Sequence, residues 1–173
     1  FVFANEGDYP YLTEVGPEIV ATYTRIVTSV MEEYKGVPFG TGIMLDSYAS
    51  IAVAKATGAS FTRGIFHGTL ATDFGLLDKP IGDIFRFAKK IGADDLNIYS
   101  AVQGHFGEYL ENRTPEQRAM DSRLVIPLAG FLLGAPPAGT APEDSAMAKI
   151  KALDPSSPII LNNGAKKENV KSL

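Results

Sequence analysis

"SYASIAVAKATGASFTRGIF", residues 47–66, holds one complete helix-to-strand unit. Its first eleven residues are rich in alanine and read as a helix over Ser47–Thr57. Gly58 stands where a helix ends, and "SFTRGIF" (60–66) follows as a nearly continuous apolar run. A strand that is apolar on both faces lies between two layers, as in a parallel sheet covered by helices. The same exit recurs at Ile91-Gly92-Ala93-Asp94, ahead of the apolar run "LNIYSAV" (96–102).

The alternation extends in both directions. "FVFA" (1–4), "VPFGTGIML" (37–45), "RLVIPLA" (123–129) and "SPIILN" (157–162) also read as strands. After the first comes a helix with Pro17 in its first turn. Its apolar stripe of Ile19, Val20, Tyr23, Ile26, Val27, Val30, Met31 and Tyr34 is expected to pack on the sheet. A third helix follows Asp78 and Pro80, with Ile81, Ile84, Phe85, Ala88 and Ile91 facing inward. Thr114 and Gln117 have capping-box spacing for a fourth. Met147, Ile150 and Leu153 mark a fifth, and Glu168–Leu173 begins a sixth.

Strand starts near 1, 37, 60, 96, 123 and 157 lie about 23 to 36 residues apart, the length of βα units. Six such units give a parallel sheet, either open and doubly wound or closed as a (β/α)8 barrel. No G-x-G-x-x-G follows any strand and no Walker A motif is present, which speaks against a dinucleotide- or P-loop-type domain. A closed barrel takes about 250 residues. The expected fold is therefore α/β, a (β/α)8 TIM-type barrel. Residues 1–173 would form one incomplete barrel domain of six βα units, strands two to seven. The start inside "FVFA", with no leading Met, reads as a cut, so no inference about a targeting peptide is drawn.

Composition narrows the partners. The chain is 45% hydrophobic and 21% charged, as expected of a soluble globular protein, and the expected location is cytoplasmic. Its net charge of −4 argues against a sequence-independent grip on nucleic acid. The longest apolar run, "LVIPLAGFLLGA" (124–135), is broken by Pro127 and Gly130 and is shorter than the roughly 18 residues of a membrane span. No integral membrane segment is expected; peripheral association and a homo-oligomer stay open. With no cysteine, disulfides and thiolate metal sites are absent.

In a barrel, the loops after the strands form the working face, and Asn5, Asp8, Asp46, His67, Asp73, His105, Asn162 and Asn163 all follow strands. His67 is the candidate general base, with Asp73 to orient it; the bland readings are a structural histidine and a turn-capping aspartate. Asn5, Asp8, Thr72 and His105 are candidate substrate contacts. His67 and His105, with Asp8 or Asp46, lack the short fixed spacing of a metal site, so no metal is assigned and no cofactor is identified. The loop over 130–139 and the turn at Asn163-Gly164 fall where barrels often hold phosphate, making Gly130, Gly134, Asn163 and Gly164 candidates. Alternatively these glycines serve close turns, with Pro136-Pro137 as a stiffener. Pro127 is unexpected inside a buried strand.

Four segments, "NEGDYPYLTEVGPEIVATYTRIV" (5–27), "RGIFHGTLATDFGLL" (63–77), "GAPP" (134–137) and "NNGAKKENV" (162–170), resemble the BtpA/SgcQ family in order along the whole chain. The resemblance implies a (β/α)8 barrel and a link to a factor required for photosystem I accumulation. Of the family's fourth-strand segment this chain keeps Arg63, His67, Thr72, Asp73 and Gly75. It departs elsewhere. Ala4 stands for a Glu, Ala101 for an Asp, and Gln103 for a His, so that only His105 matches there. Ala129–Gly134 lacks the family's Ser and Thr, and Asn162-Asn163-Gly164 replaces Gly-Ser-Gly. Two functions follow as expectations. One is binding or conversion of a small phosphorylated sugar- or nucleoside-like compound at the C-terminal face. The other is a non-catalytic accessory role in photosystem I assembly or stability, which would place the protein peripherally at the thylakoid membrane.

Overall fold

The computed structural model describes residues 1–104, 106–134 and 145–171. Strands β1 (Val2–Ala4), β2 (Gly40–Gly42), β3 (Phe61–Gly64), β6 (Asn97–Ala101), β8 (Gly130–Leu133) and β9 (Ile159–Leu161) form one parallel sheet in that spatial order. Helices α1 (Pro17–Glu33), α2 (Ser47–Thr57), α3 (Ile81–Lys90), α4 (Pro115–Val125) and α5 (Ala146–Leu153) follow successive strands. A doubly wound sheet reverses its strand order at a switch point; this one advances monotonically, each strand pairing with the next. The fold is α/β, a six-stranded arc of a TIM-type barrel.

The two sheet faces differ as a barrel wall requires. Ile43, Ala49 and Val53 cluster on the helix side of β2; Ile98 joins Ile84 and Ala88, and Phe131 and Leu133 join Ala119 and Ile150. The opposite, interior face carries Phe61, Arg63, Tyr99, Ala101 and Leu132. There Gly40 and Gly130 make room for rings: a Cβ on Gly40 would lie 2.2 Å from Phe61, and one on Gly130 2.9 Å from Tyr99.

Local signals account for the helices. Asp46 caps α2 by accepting the Ala49 N–H at 2.9 Å, and Gly58 closes it at φ 75°. Thr114 and Gln117 form a complete capping box on α4. Two expectations change. The segment 123–129 is the end of α4 and its exit, and the strand lies at Gly130–Leu133, so Pro127 never enters a ladder and breaks nothing. The helix formers Arg123 and Leu124 continue the capped helix to Val125, and Pro127 blocks any extension. The α1 stripe is only half covered, with Val27 buried but Ile26, Val30 and Tyr34 exposed. At the C-terminus, residues 167–171 form a turn, with Val170 N–H donating to Lys166 C=O at 2.9 Å, and residues 172–173 of the expected sixth helix lie outside the described residues.

One feature is an addition to the βα plan. Between β3 and α3 the chain makes a hairpin, β4 (Gly68–Thr72) and β5 (Gly75–Lys79), and β7 (Gly107–Tyr109) pairs with β4 to complete a three-stranded antiparallel sheet. Leu70, Leu77 and Tyr109 share its inner face and pack on Leu45, Ile65, Ala101 and Leu132 at the C-terminal end of the barrel strands. Ala71, Leu76 and Glu108 share the outer face.

Candidate functional site

The small sheet roofs a concavity at the C-terminal strand ends. A small cavity of about 40 Å³ there is lined by Gly42, Met44, Leu45, Arg63, Ile65, Ala101, Phe106, Leu132 and Asn162 among others. Its walls are mainly apolar, and Arg63 is the only charged residue among them. An adjoining concavity shares Ala101, Leu132 and Asn162, and adds Gln103, Gly104, Gly134 and Asn163. Together they run from a guanidinium inside the barrel to a rim of neutral amides.

Arg63 is buried, and a Cβ on neighbouring Gly42 would sit 2.6 Å from the Arg63 carbonyl oxygen, so glycine there allows β2 and β3 to close on each other. Among the described residues its only polar partner is the Glu6 carboxylate, 3.5 Å from Nη2; the Glu6 side chain is 73% exposed against 9% for Arg63. Asn5 fixes the loop carrying Glu6 by accepting the Met44 N–H at 2.7 Å and donating to Asp8 at 3.3 Å.

Gln103 accepts the Gly134 N–H at 3.2 Å, tying the exits of β6 and β8 together. Gly134 and Asn163 line the same concavity, where a Cβ on Gly134 would lie 3.3 Å from Asn163 Oδ1, and Gly164 follows in the same loop at φ 76°. Gly130 is not with them. It opens β8 and lies a strand length, roughly 13 Å, below the rim, because the strand starts later than the apolar run suggested. Residues 135–139 of the expected phosphate loop, and His105, lie outside the described residues.

His67 does not line either concavity. It is buried beside Tyr109, with Nδ1 2.7 Å from Ser100 Oγ, and among the described residues Nε2 has no hydrogen-bond partner. Burial, reinforced by the positive charges of Arg118 and Arg113, pushes its pKa down to about 4, so the ring is neutral near pH 7. Asp73 does not orient it. The aspartate sits in the exposed β4–β5 turn, where Thr72 Oγ1 accepts the Phe74 N–H at 3.1 Å and donates to Gly75 C=O at 2.7 Å, and Gly75 provides the positive φ of 102°. Thr72 is thereby spent on the turn. Asp46, an optional metal ligand by sequence, uses both carboxylate oxygens on the backbone N–H groups of Val15 and Ala49, each at 2.9 Å.

Two more charged groups brace the roof. Arg118 lies under Tyr109, its guanidinium carbon 3.7 Å from the ring centroid, and donates to Glu111 at 2.6 Å and to the carbonyls of Val102 and Arg113. Lys79 donates to Leu45 C=O at 2.6 Å, fixing a residue held at φ 65°; burial pushes the Lys79 pKa down against the pull of Asp46.

Sequence reasoning placed Asn162 on the working face without a role, and did not single out Arg63 and Gln103 as groups facing the concavity. A signal for Arg63 existed: it is the only charged residue in the strand "SFTRGIF", whose neighbours are otherwise suited to burial on both faces.

The roofed, incomplete arc of strands defines the class: a TIM-type barrel whose working end bears a small antiparallel sheet. The chain belongs to the BtpA family, whose model matches residues 1–173. It is 32% identical over 169 residues to the sgc region protein SgcQ of Escherichia coli K12, covering 98% of this chain and 63% of that one. An uncharacterized protein of Archaeoglobus fulgidus is 29% identical over 135 residues, 72% of this chain and 52% of that one. The photosystem I biogenesis protein BtpA of Synechocystis is 24% identical over 181 residues, 99% of this chain and 60% of that one. The chain thus spans between 52% and 63% of the length of these relatives. No solved structure matches it significantly. Among the described residues no helix is long and apolar enough to cross a membrane, and no group of three or more potential metal ligands occurs.

Proposed function

We propose that this chain forms the ligand-binding end of a barrel that binds or converts a small phosphorylated sugar- or nucleoside-like compound. The observation that carries the reading is the continuous concavity at the C-terminal strand ends, with one cation inside and amides at the rim. Ligand sites of this kind are concave, largely apolar and fitted with a few convergent polar groups. In this reading binding belongs to Arg63, Asn162, Asn163 and Gln103. His67 holds the end of β3 against β6 through Ser100, and Asp73 shapes the roof hairpin.

Thermal unfolding with ribose 5-phosphate, ribose and inorganic phosphate tests this. Ligand that binds only the folded state raises the midpoint as its concentration exceeds Kd. The sugar phosphate is expected to raise it more than either fragment; no shift with any of the three would contradict the reading.

A second reading, an accessory role in photosystem I assembly, is supported by likeness to the Synechocystis protein over 99% of the chain. Tagged protein incubated with cyanobacterial membrane extract should then retain photosystem I subunits after washing, and their absence would remove that support.

A further inference from the structure

We infer that the ligand's anionic group is held inside the barrel by Arg63, with its hydroxyl-bearing part directed to the amides of Gln103, Asn162 and Asn163 at the rim. This rests on the proposed function and adds the polarity of the bound molecule. It also separates the anion from the glycine loop after β8, where a barrel phosphate would ordinarily be sought.

The argument begins with an imbalance of charge. A buried guanidinium requires a counter-charge or several acceptors, because removal from water is costly. Arg63 has five N–H donors, and among the described residues only Nη2 has a partner. That partner is loose at 3.5 Å and 73% exposed, an ion pair of the weak, solvent-screened kind. Arg63 also lines the apolar concavity rather than being sealed into packing. An oxyanion entering that space would meet a planar fork of donors suited to phosphate or carboxylate.

The rim is unsuited to the same task. Gly134 N–H, a backbone donor at that rim, already donates to Gln103 Oε1. Among the described residues lining that part none is positively charged, and amide side chains both donate to and accept from hydroxyls. Charge therefore belongs at one end and neutral hydrogen bonding at the other. Met44, Leu45 and Leu132 between them would contact an apolar or ring portion.

Glu6 competes in this scheme. It covers Arg63 when the site is free, and its negative charge opposes an incoming oxyanion.

Dissociation constants for inorganic phosphate and ribose 5-phosphate, measured by NMR titration of wild type, Arg63→Gln, Glu6→Gln and Asn163→Ala, decide the matter. Arg63→Gln is expected to weaken both probes about tenfold to a hundredfold, the usual scale of a lost charge-assisted hydrogen bond. Glu6→Gln is expected to tighten both about two- to fivefold. Asn163→Ala should weaken ribose 5-phosphate and leave inorganic phosphate unchanged. If Arg63→Gln binds phosphate as wild type does while Asn163→Ala loses it, the anion lies at the rim; the inference falls and the proposed function stands. If Arg63→Gln does not fold, Glu6→Gln decides alone, since its side chain is exposed; unchanged or weaker phosphate binding overturns the inference. If wild type binds neither probe, both readings fall together.

Discussion

Nδ1 of His67 lies 2.7 Å from Oγ of Ser100, and the same oxygen accepts the Phe66 N–H at 3.1 Å. One hydroxyl on β6 thus holds the backbone and the side chain at the exit of β3. That exit carries the roof hairpin, so the shape of the concavity depends on a pair that does not line it.

A pH dependence follows. The His67 pKa falls to about 4 in the folded protein, against about 6.5 for an unperturbed ring. Between those values the unfolded chain binds more protons than the native state, so stability declines as pH falls from 6.5 toward 4 and levels off below. The scale is about 2–3 kcal/mol for a fully buried ring. Urea unfolding at pH 7 and pH 4.5 should show this loss in wild type and a smaller one in His67→Gln. Equal slopes in the two proteins would contradict it.

Arg118 anchors the other side of the roof. Arg118→Met leaves Glu111 and the carbonyls of Val102 and Arg113 without their donor, and should cost about 3–5 kcal/mol in urea unfolding. Glu111→Gln keeps an acceptor for Nε, and Glu111 is partly exposed, so its cost should be near 1 kcal/mol. Similar losses for the two variants would show that the cation's other bonds matter little.

Gly68 starts the hairpin at φ 85°, and a Cβ there would come 2.6 Å from the Tyr109 ring. Tyr109 cannot yield easily, since its hydroxyl donates to Ala101 C=O at 2.9 Å and Arg118 packs on its face. Gly68→Ala combines backbone strain with a clash and should cost about 2 kcal/mol or more. A midpoint shift near zero would mean that β4 is free to move away from β7.

How much of this was legible in the sequence depends on the range of the interaction involved. The alternation of apolar runs with capped helices is local, and it sufficed for the parallel arc and for the ends of α2 and the start of α4. Strand β8 was misplaced because Leu124, Val125 and Ile126 are as apolar as a strand, while the capping box at Thr114 keeps the chain helical through Val125. The roof sheet was missed because β7 pairs with β4 from 35 residues or more away, and three-residue strands carry little pattern of their own. At the site, the meeting of Gly134 and Asn163 is what strand-end topology implies for the exits of neighbouring strands, whereas Asn5, after β1 at the far end of the arc, lines neither concavity. The direction in which His67 points did not, since that is set by Ser100 across the sheet.

Methyl NMR on the labelled protein tests the central claim most directly, by titrating ribose 5-phosphate while watching Met44, Leu45, Ile65 and Leu132 inside the concavity. Ala54 and Leu96, in a concavity at the opposite ends of the strands, serve as the reference. The account predicts saturable shifts at the first group and none at the second. Shifts confined to Ala54 and Leu96, or to neither group, would contradict it.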